Sequence, residues 1–146
     1  MSKQAMQRMR HPRAIRSGGF TLLEMLAVIV LIGIIGTIVY TQVGKSLDKG
    51  KYGAGKAQLT AIDTAIQRYA MDNGSAPPNL DALVTKPSGA SDWLGPYLKA
   101  KQLKDPWGHA FGYKVPGDHG DYDVIFYGHD GRPGGSGMNK DVGNWE

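Results

Sequence analysis

Three patterns of apolar and polar residues divide the chain. Residues 20–40 are 21 positions of which only Thr21, Glu24 and Thr37 are polar. At about 1.5 Å per residue they make roughly 31 Å of helix, enough to cross a bilayer core. After Lys56 the pattern becomes one-sided. Leu59, Ile62, Ile66 and Tyr69 recur every three or four residues, with Gln58, Asp63, Gln67 and Arg68 between them. That spacing predicts a helix packing one stripe on a globular domain. Asp72-Asn73-Gly74 ends it, with Gly74 suited to a left-handed cap. Between the two apolar patterns, residues 44–55 are polar and carry Lys45, Lys49 and Lys51. Gly50, Gly53 and Gly55 each cost about 1 kcal/mol relative to alanine in a helix, so a weakened or broken helix is expected there.

Beyond Gly74 the pattern shortens. Pro77-Pro78 opens a loop, Asn79 is placed to cap a short helix over residues 80–84, and Lys86-Pro87-Ser88-Gly89 turns the chain. Residues 110–115 and 122–127 read as strands joined by a loop through Pro116-Gly117-Asp118-His119-Gly120, an antiparallel hairpin. A long helix, membrane-spanning in its first half, on a small antiparallel sheet is an α+β architecture, with Trp107 and Tyr113 as core candidates.

Glu24 is the anomaly in the apolar run, because an ionised acid inside a span costs roughly 2.5–3.5 kcal/mol on insertion scales. The segment before it supplies a reason. Lys3, Arg8, Arg10, Arg13 and Arg16 precede Ser17-Gly18-Gly19 with no acid among them. Cleavage after Gly19 would give Phe20 a free amine one helical turn from Glu24. A secretory signal peptide would instead be cut after its apolar region, where Val39-Tyr40-Thr41-Gln42-Val43 has no small-residue site.

The run Gly19-Phe20-Thr21-Leu22-Leu23-Glu24 resembles the leader signal of type IV pilins and of type II secretion pseudopilins. The resemblance implies a prepilin peptidase that cuts after Gly19 and methylates Phe20, and assembly through the apolar helices with Glu24 as an assembly residue. Further along, residues 69–74, Gly95-Pro96-Tyr97, Asp105-Pro106-Trp107-Gly108, Tyr113, Pro116-Gly117 and residues 128–145 resemble a major pseudopilin over nearly all of the mature chain. Pseudopilins usually carry a proline soon after the span, which is missing here near Thr41-Gln42.

Charge sharpens this division. The net charge of +4 rests on the first 19 residues; without their five cations, 12 basic residues face 13 acidic ones. Nucleic-acid binding thereby loses its main support. The same cations place the N-terminus in the cytoplasm and the C-terminal domain across the membrane. With no cysteine in 146 residues, a single modest core must hold without disulfides. The absence also argues against an adhesive type IV pilin, whose C-terminal region commonly closes with one.

The glycine-rich stretch 128–141 is expected to lack regular structure, yet it holds oxygen ligands at both ends: Asp130 early, Asn139 and Asp141 late. Ca²⁺ takes six to eight oxygens, including carbonyls that glycines let turn inward. By spacing alone an ordinary Asp-Gly turn is the stronger reading, and the stretch does not match the EF-hand pattern. Major pseudopilins resemble this tail in their Asp-Gly pair, glycine run, acidic cluster and terminal Asn-Trp, and the resemblance implies a calcium loop supporting fibre assembly. It places ligands at Asp130 and Asp141, with Asn139 as a neutral oxygen and the carbonyls of Tyr127 and His129 as additions.

The other candidates carry less. His109, His119 and His129 sit ten apart on or beside loops and read as exposed side chains rather than zinc ligands, Gly134-Gly135 lacks the lysine of a phosphate loop, and no nucleophile and base pair with a supporting context. The reading is therefore a non-enzyme: a leader at 1–19, a membrane and assembly helix at 20–43, and a periplasmic domain at 44–146. The implied product is a homopolymer, a short periplasmic fibre anchored in a bacterial inner membrane as a single-pass protein. Its implied partners are minor pseudopilins and an inner-membrane assembly platform, and its task is export of folded proteins across the outer membrane. A type IV pilin or DNA-uptake pseudopilin is the near rival. A membrane-anchored periplasmic enzyme or binding domain is the distant one, and predicts an intact leader and a ligand pocket.

Overall fold

The computed structural model describes residues 18–146. The leader cations from Lys3 to Arg16 lie outside the described residues. Helix α1 covers Leu22–Asn73, 52 residues, and the chain divides into two compact units, one ending at Val39 and the other running Tyr40–Glu146.

In the first unit every described residue is exposed, and an 18-residue window of α1 is long and apolar enough to cross a membrane. In the second unit α1 buries the expected stripe. Ile62 and Ile66 are 0% exposed, and Leu59 and Tyr69 are nearly so. At its end Gly74 takes φ +79° and its N–H donates to the Ala70 carbonyl at 2.8 Å, the left-handed stop expected of it.

The expected break at residues 44–55 is corrected: α1 runs through it as helix. Gly55 shows why tertiary packing overrides propensity here. The ring of Phe126 occupies the space a Cβ would take, so the missing side chain is what lets helix and sheet touch. Gly50 and Gly53 face open space and have no such contact.

Three strands form the sheet: β1 (Gly112–Lys114), β2 (Asp123–Phe126) and β3 (Val142–Gly143), in the order β1-β2-β3 and antiparallel throughout. Tyr113 faces Val124 in register, and Phe126 faces Val142. The expected hairpin is present, with both strands shorter than the residues 110–115 and 122–127 suggested. Ala110 instead makes an isolated bridge with Lys104, and Gly128, at φ +66°, turns the chain away after Tyr127. At the other end of β1, Val115 precedes a proline that has no N–H to extend the ladder. β3 was not expected, because two residues carry no readable alternation.

The core joins the α1 stripe to Ala82, Leu83, Phe111, Val124 and Phe126. Trp107 and Tyr113 are half-buried and pack against it rather than inside it. A short 3₁₀ helix at Leu80–Leu83 is capped as expected, Asn79 Oδ1 accepting from the Ala82 N–H at 3.0 Å. Two further 3₁₀ turns, Ala100–Leu103 and Gly137–Asn139, were missed; the second corrects the expectation that the tail holds no regular structure.

Candidate functional site

Two regions carry the functional signal, and each is built by its own local chemistry. At the start of α1, Gly18 and Gly19 are exposed and Phe20 is 76% exposed. Thr21 Oγ1 accepts from the Glu24 N–H at 3.1 Å, and Glu24 Oε2 faces the Thr21 N–H at 3.5 Å. This is the reciprocal cap of a Thr-x-x-Glu sequence, with an acid at the positive end of the helix dipole. The Thr21-x-x-Glu24 spacing is legible in the sequence itself. The carboxylate thus has a structural task before any cleavage. On either side of it, Leu22, Leu23, Ile29 and Ile32 stand open on more than one face of the helix.

The tail loop is drawn together by backbone bonds. The His129 N–H donates to the Met138 carbonyl at 2.8 Å, joining the two ends of the stretch. Gly128 is required at that junction, since a Cβ would strike the Met138 carbonyl and the Asn139 backbone. Gly135, at φ +97°, packs equally closely on Asn139. Asp141 Oδ2 accepts from the Gly134 N–H at 2.7 Å, while Asp141 Oδ1 is buried with no hydrogen-bond partner. Asp130 caps its own turn, Oδ1 accepting from the Arg132 N–H at 3.3 Å. Asn139 and Asp141 are therefore brought against Gly134-Gly135, and His129 against Met138. Tyr127 is half-buried, its phenol lying over Gly112. Among the described residues no group of three or more His, Cys, Asp or Glu side chains is placed to hold a metal. A hard cation here would need amide and carbonyl oxygens beside carboxylates, and the orphaned Asp141 Oδ1 fits that donor set.

Three buried or half-buried carboxylates that sequence reasoning passed over hold the surrounding loops. Asp105 Oδ1 accepts from the N–H groups of Trp107 at 2.9 Å and His109 at 2.8 Å, and its Oδ2 meets the His109 ring at 3.2 Å. Asp123 Oδ2 accepts from the Asp118 N–H at 2.8 Å and lies 3.0 Å from the His119 ring. Burial alone would raise the Asp123 pKa, but the His119 ring and the backbone donors outweigh it and hold it below the ordinary carboxylate value. Asp63, on α1, accepts from Tyr122 at 2.8 Å, Asn144 at 3.1 Å and Gln67 at 2.8 Å. Burial, then the bond to Asp63, raises the Tyr122 pKa; burial pushes Tyr113 up to about 12. Asp-Pro-Trp-Gly-His was the available signal, an aspartate followed by N–H groups that it can cap.

The C-terminal Asn144-Trp145 pair extends the sheet without a strand. Asn144 exchanges two bonds with Val124, its N–H donating to the carbonyl at 3.1 Å and its Oδ1 accepting from the N–H at 2.9 Å. Trp145 stacks on His119 with ring centroids 3.8 Å apart.

Residues 42–145 match the family described as type II secretion system (T2SS), protein G, and residues 15–40 match the prokaryotic N-terminal methylation motif. The chain belongs to the type II secretion system protein G family. It is 45% identical to the type II secretion system core protein G of Xanthomonas campestris over 91% of this chain and 93% of that one. With the core protein G of Pseudomonas aeruginosa the identity is 38%, covering 90% and 96%. The fold is similar to the crystal structure of the major pseudopilin from the type 2 secretion system of enterohaemorrhagic Escherichia coli. That match has a TM-score of 0.55 and 28% identity, and covers 69% of this chain and 91% of the other. The long helix on a three-stranded sheet is thus a pseudopilin fold, and the family is one of structural subunits.

Proposed function

We propose that this protein is the major subunit of a type II secretion pseudopilus. It is processed after Gly19, methylated on Phe20 and polymerised into a periplasmic fibre whose growth drives folded proteins through the outer membrane. The observation that carries the reading is the joining, in one chain, of a methylation motif at 15–40 to a protein G domain at 42–145. Before assembly the apolar half of α1 anchors the subunit in the inner membrane, with the domain in the periplasm. In the fibre the same surface packs on other copies. Glu24, already the cap of α1, then receives the Phe20 amine of a neighbouring subunit, so that a carboxylate in a low-dielectric bundle is paired. Assembly follows contact with minor pseudopilins and the membrane platform.

Calcium is the proposed structural ion of the tail. Asp130, Asn139 and Asp141 would hold it, with the carbonyls of Tyr127 and His129, and its binding would offset the entropy lost on ordering a glycine-rich loop that has few apolar groups. The support is the buried, unpartnered Asp141 Oδ1.

The test uses the membrane form of the full chain. Mass spectrometry is expected to find a mature protein beginning at Phe20 and carrying one methyl group, and Gly19→Ala to retain the leader. Glu24→Ala should be processed yet fail to give cross-linked fibre ladders, and normal ladders would refute its role. In detergent, the processed chain should melt higher with calcium than with chelator, and the double substitution Asp130→Ala with Asp141→Ala should erase the difference.

A further inference from the structure

Helix α1 first meets the tail loop at one side chain. From residue 41 to residue 54 every position is exposed except Asp48 and Tyr52. The Tyr52 hydroxyl donates to the Lys140 carbonyl at 3.0 Å, across 88 residues of sequence. Its ring packs on Phe126 with centroids 5.4 Å apart, and the Lys56 ammonium lies 5.5 Å from the ring centre. Lys140 stands between Asn139 and Asp141, two of the proposed metal ligands.

A second link reaches the other end of the loop. The Lys51 ammonium lies 6.0 Å from the Trp107 ring centre, and the His129 ring meets Trp107 edge-on at 5.0 Å. Residues 51–56 of α1 therefore touch both ends of the stretch that the metal would order: directly at Lys140, and through Trp107 at His129. Neither link has a competitor from Gly50 or Gly53, which have nothing within 4 Å of where a side chain would be.

We propose that Tyr52 is the positioning residue through which calcium in the tail loop holds residues 45–56 of α1 in helical form. The proposal rests on the calcium reading above. When the loop is ordered, the Lys140 carbonyl is fixed where the phenol can reach it, and the glycine-interrupted segment gains a long-range hydrogen bond through Tyr52. When the loop loosens, that acceptor moves and the segment keeps only ring packing. Coupling of this kind is reciprocal, so the helix contact also favours metal binding by the same factor.

The test measures hydrogen exchange by mass spectrometry on the full processed chain in detergent micelles, in calcium chloride and in EGTA. Direct calcium titration is run on the same samples, and Tyr52→Phe is the variant because it keeps the ring on Phe126. Calcium is expected to slow exchange in residues 45–56 of the wild type by about tenfold. In Tyr52→Phe that slowing should largely disappear, while the variant still binds calcium and still protects residues 59–69. If Tyr52→Phe exchanges faster by the same factor with and without calcium, Tyr52 is a packing residue only and the proposal is overturned. If the wild type binds calcium but residues 45–56 do not respond, the coupling is overturned and the calcium reading stands. If the wild type binds no calcium, both fall.

Discussion

The two halves of α1 are equally helical and have opposite relations to their surroundings. In the first half, residues such as Ile32, 64% exposed, stand open among the described residues. In the second, Ile62 and Ile66 are completely covered by sheet and loops. A helix apolar on all sides needs lipid or other helices, whereas a helix with one apolar stripe needs only a domain to lie on. On the proposed function the first half serves the assembly, while the second half serves the fold. Substitutions in the two halves should separate these roles.

The largest effect is expected from Ile66→Ala. Emptying that buried site should cost about 2–5 kcal/mol of unfolding free energy in urea titrations of the detergent-solubilised chain. Ile32→Ala in the exposed half should change the same transition by less than about 0.5 kcal/mol. Equal losses would erase the distinction between the halves.

Gly55→Ala is next. The added methyl meets the Phe126 ring, and overpacking there should destabilise by about 1–3 kcal/mol, read by the same titration.

Acid titration sharpens the contrast further, because Asp123 is a buried carboxylate on the sheet that faces the docked half. Its pKa lies below the 3.8 of the free side chain, so its contribution is fully present above that value and is lost as pH falls through the folded-state value. The stability difference between wild type and Asp123→Asn, followed by thermal melts, should shrink as pH falls below about 4. A difference that grows as pH falls below about 4 would contradict the assigned direction.

The smallest effect is a gain. Gly50→Ala adds a methyl in open space and should stabilise the helix by about 0.5–1 kcal/mol, opposite in sign to Gly55→Ala one turn and a half away. Circular dichroism melts of the two variants check the reversal.

Some of this was legible in the residues alone. Period and length determined both halves of α1, since apolar spacing is set by helix geometry wherever the partner lies. Asn79 and Gly74 announced their caps for an equally local reason: each satisfies backbone groups a few residues away. The leader signal at Gly19-Phe20 and the cap pair Thr21 and Glu24 are also contiguous motifs. Tertiary structure alone decided the rest. Gly55 reads as a helix breaker until Phe126 is seen against it, and β3 is two residues that exist only because β2 has an open edge. Asp63 gathers Tyr122 and Asn144 from 59 and 81 residues away, and Tyr52 reaches Lys140 across 88. Contacts at such separations leave no periodic trace, because each depends on where two distant segments are carried by the packing of everything between them.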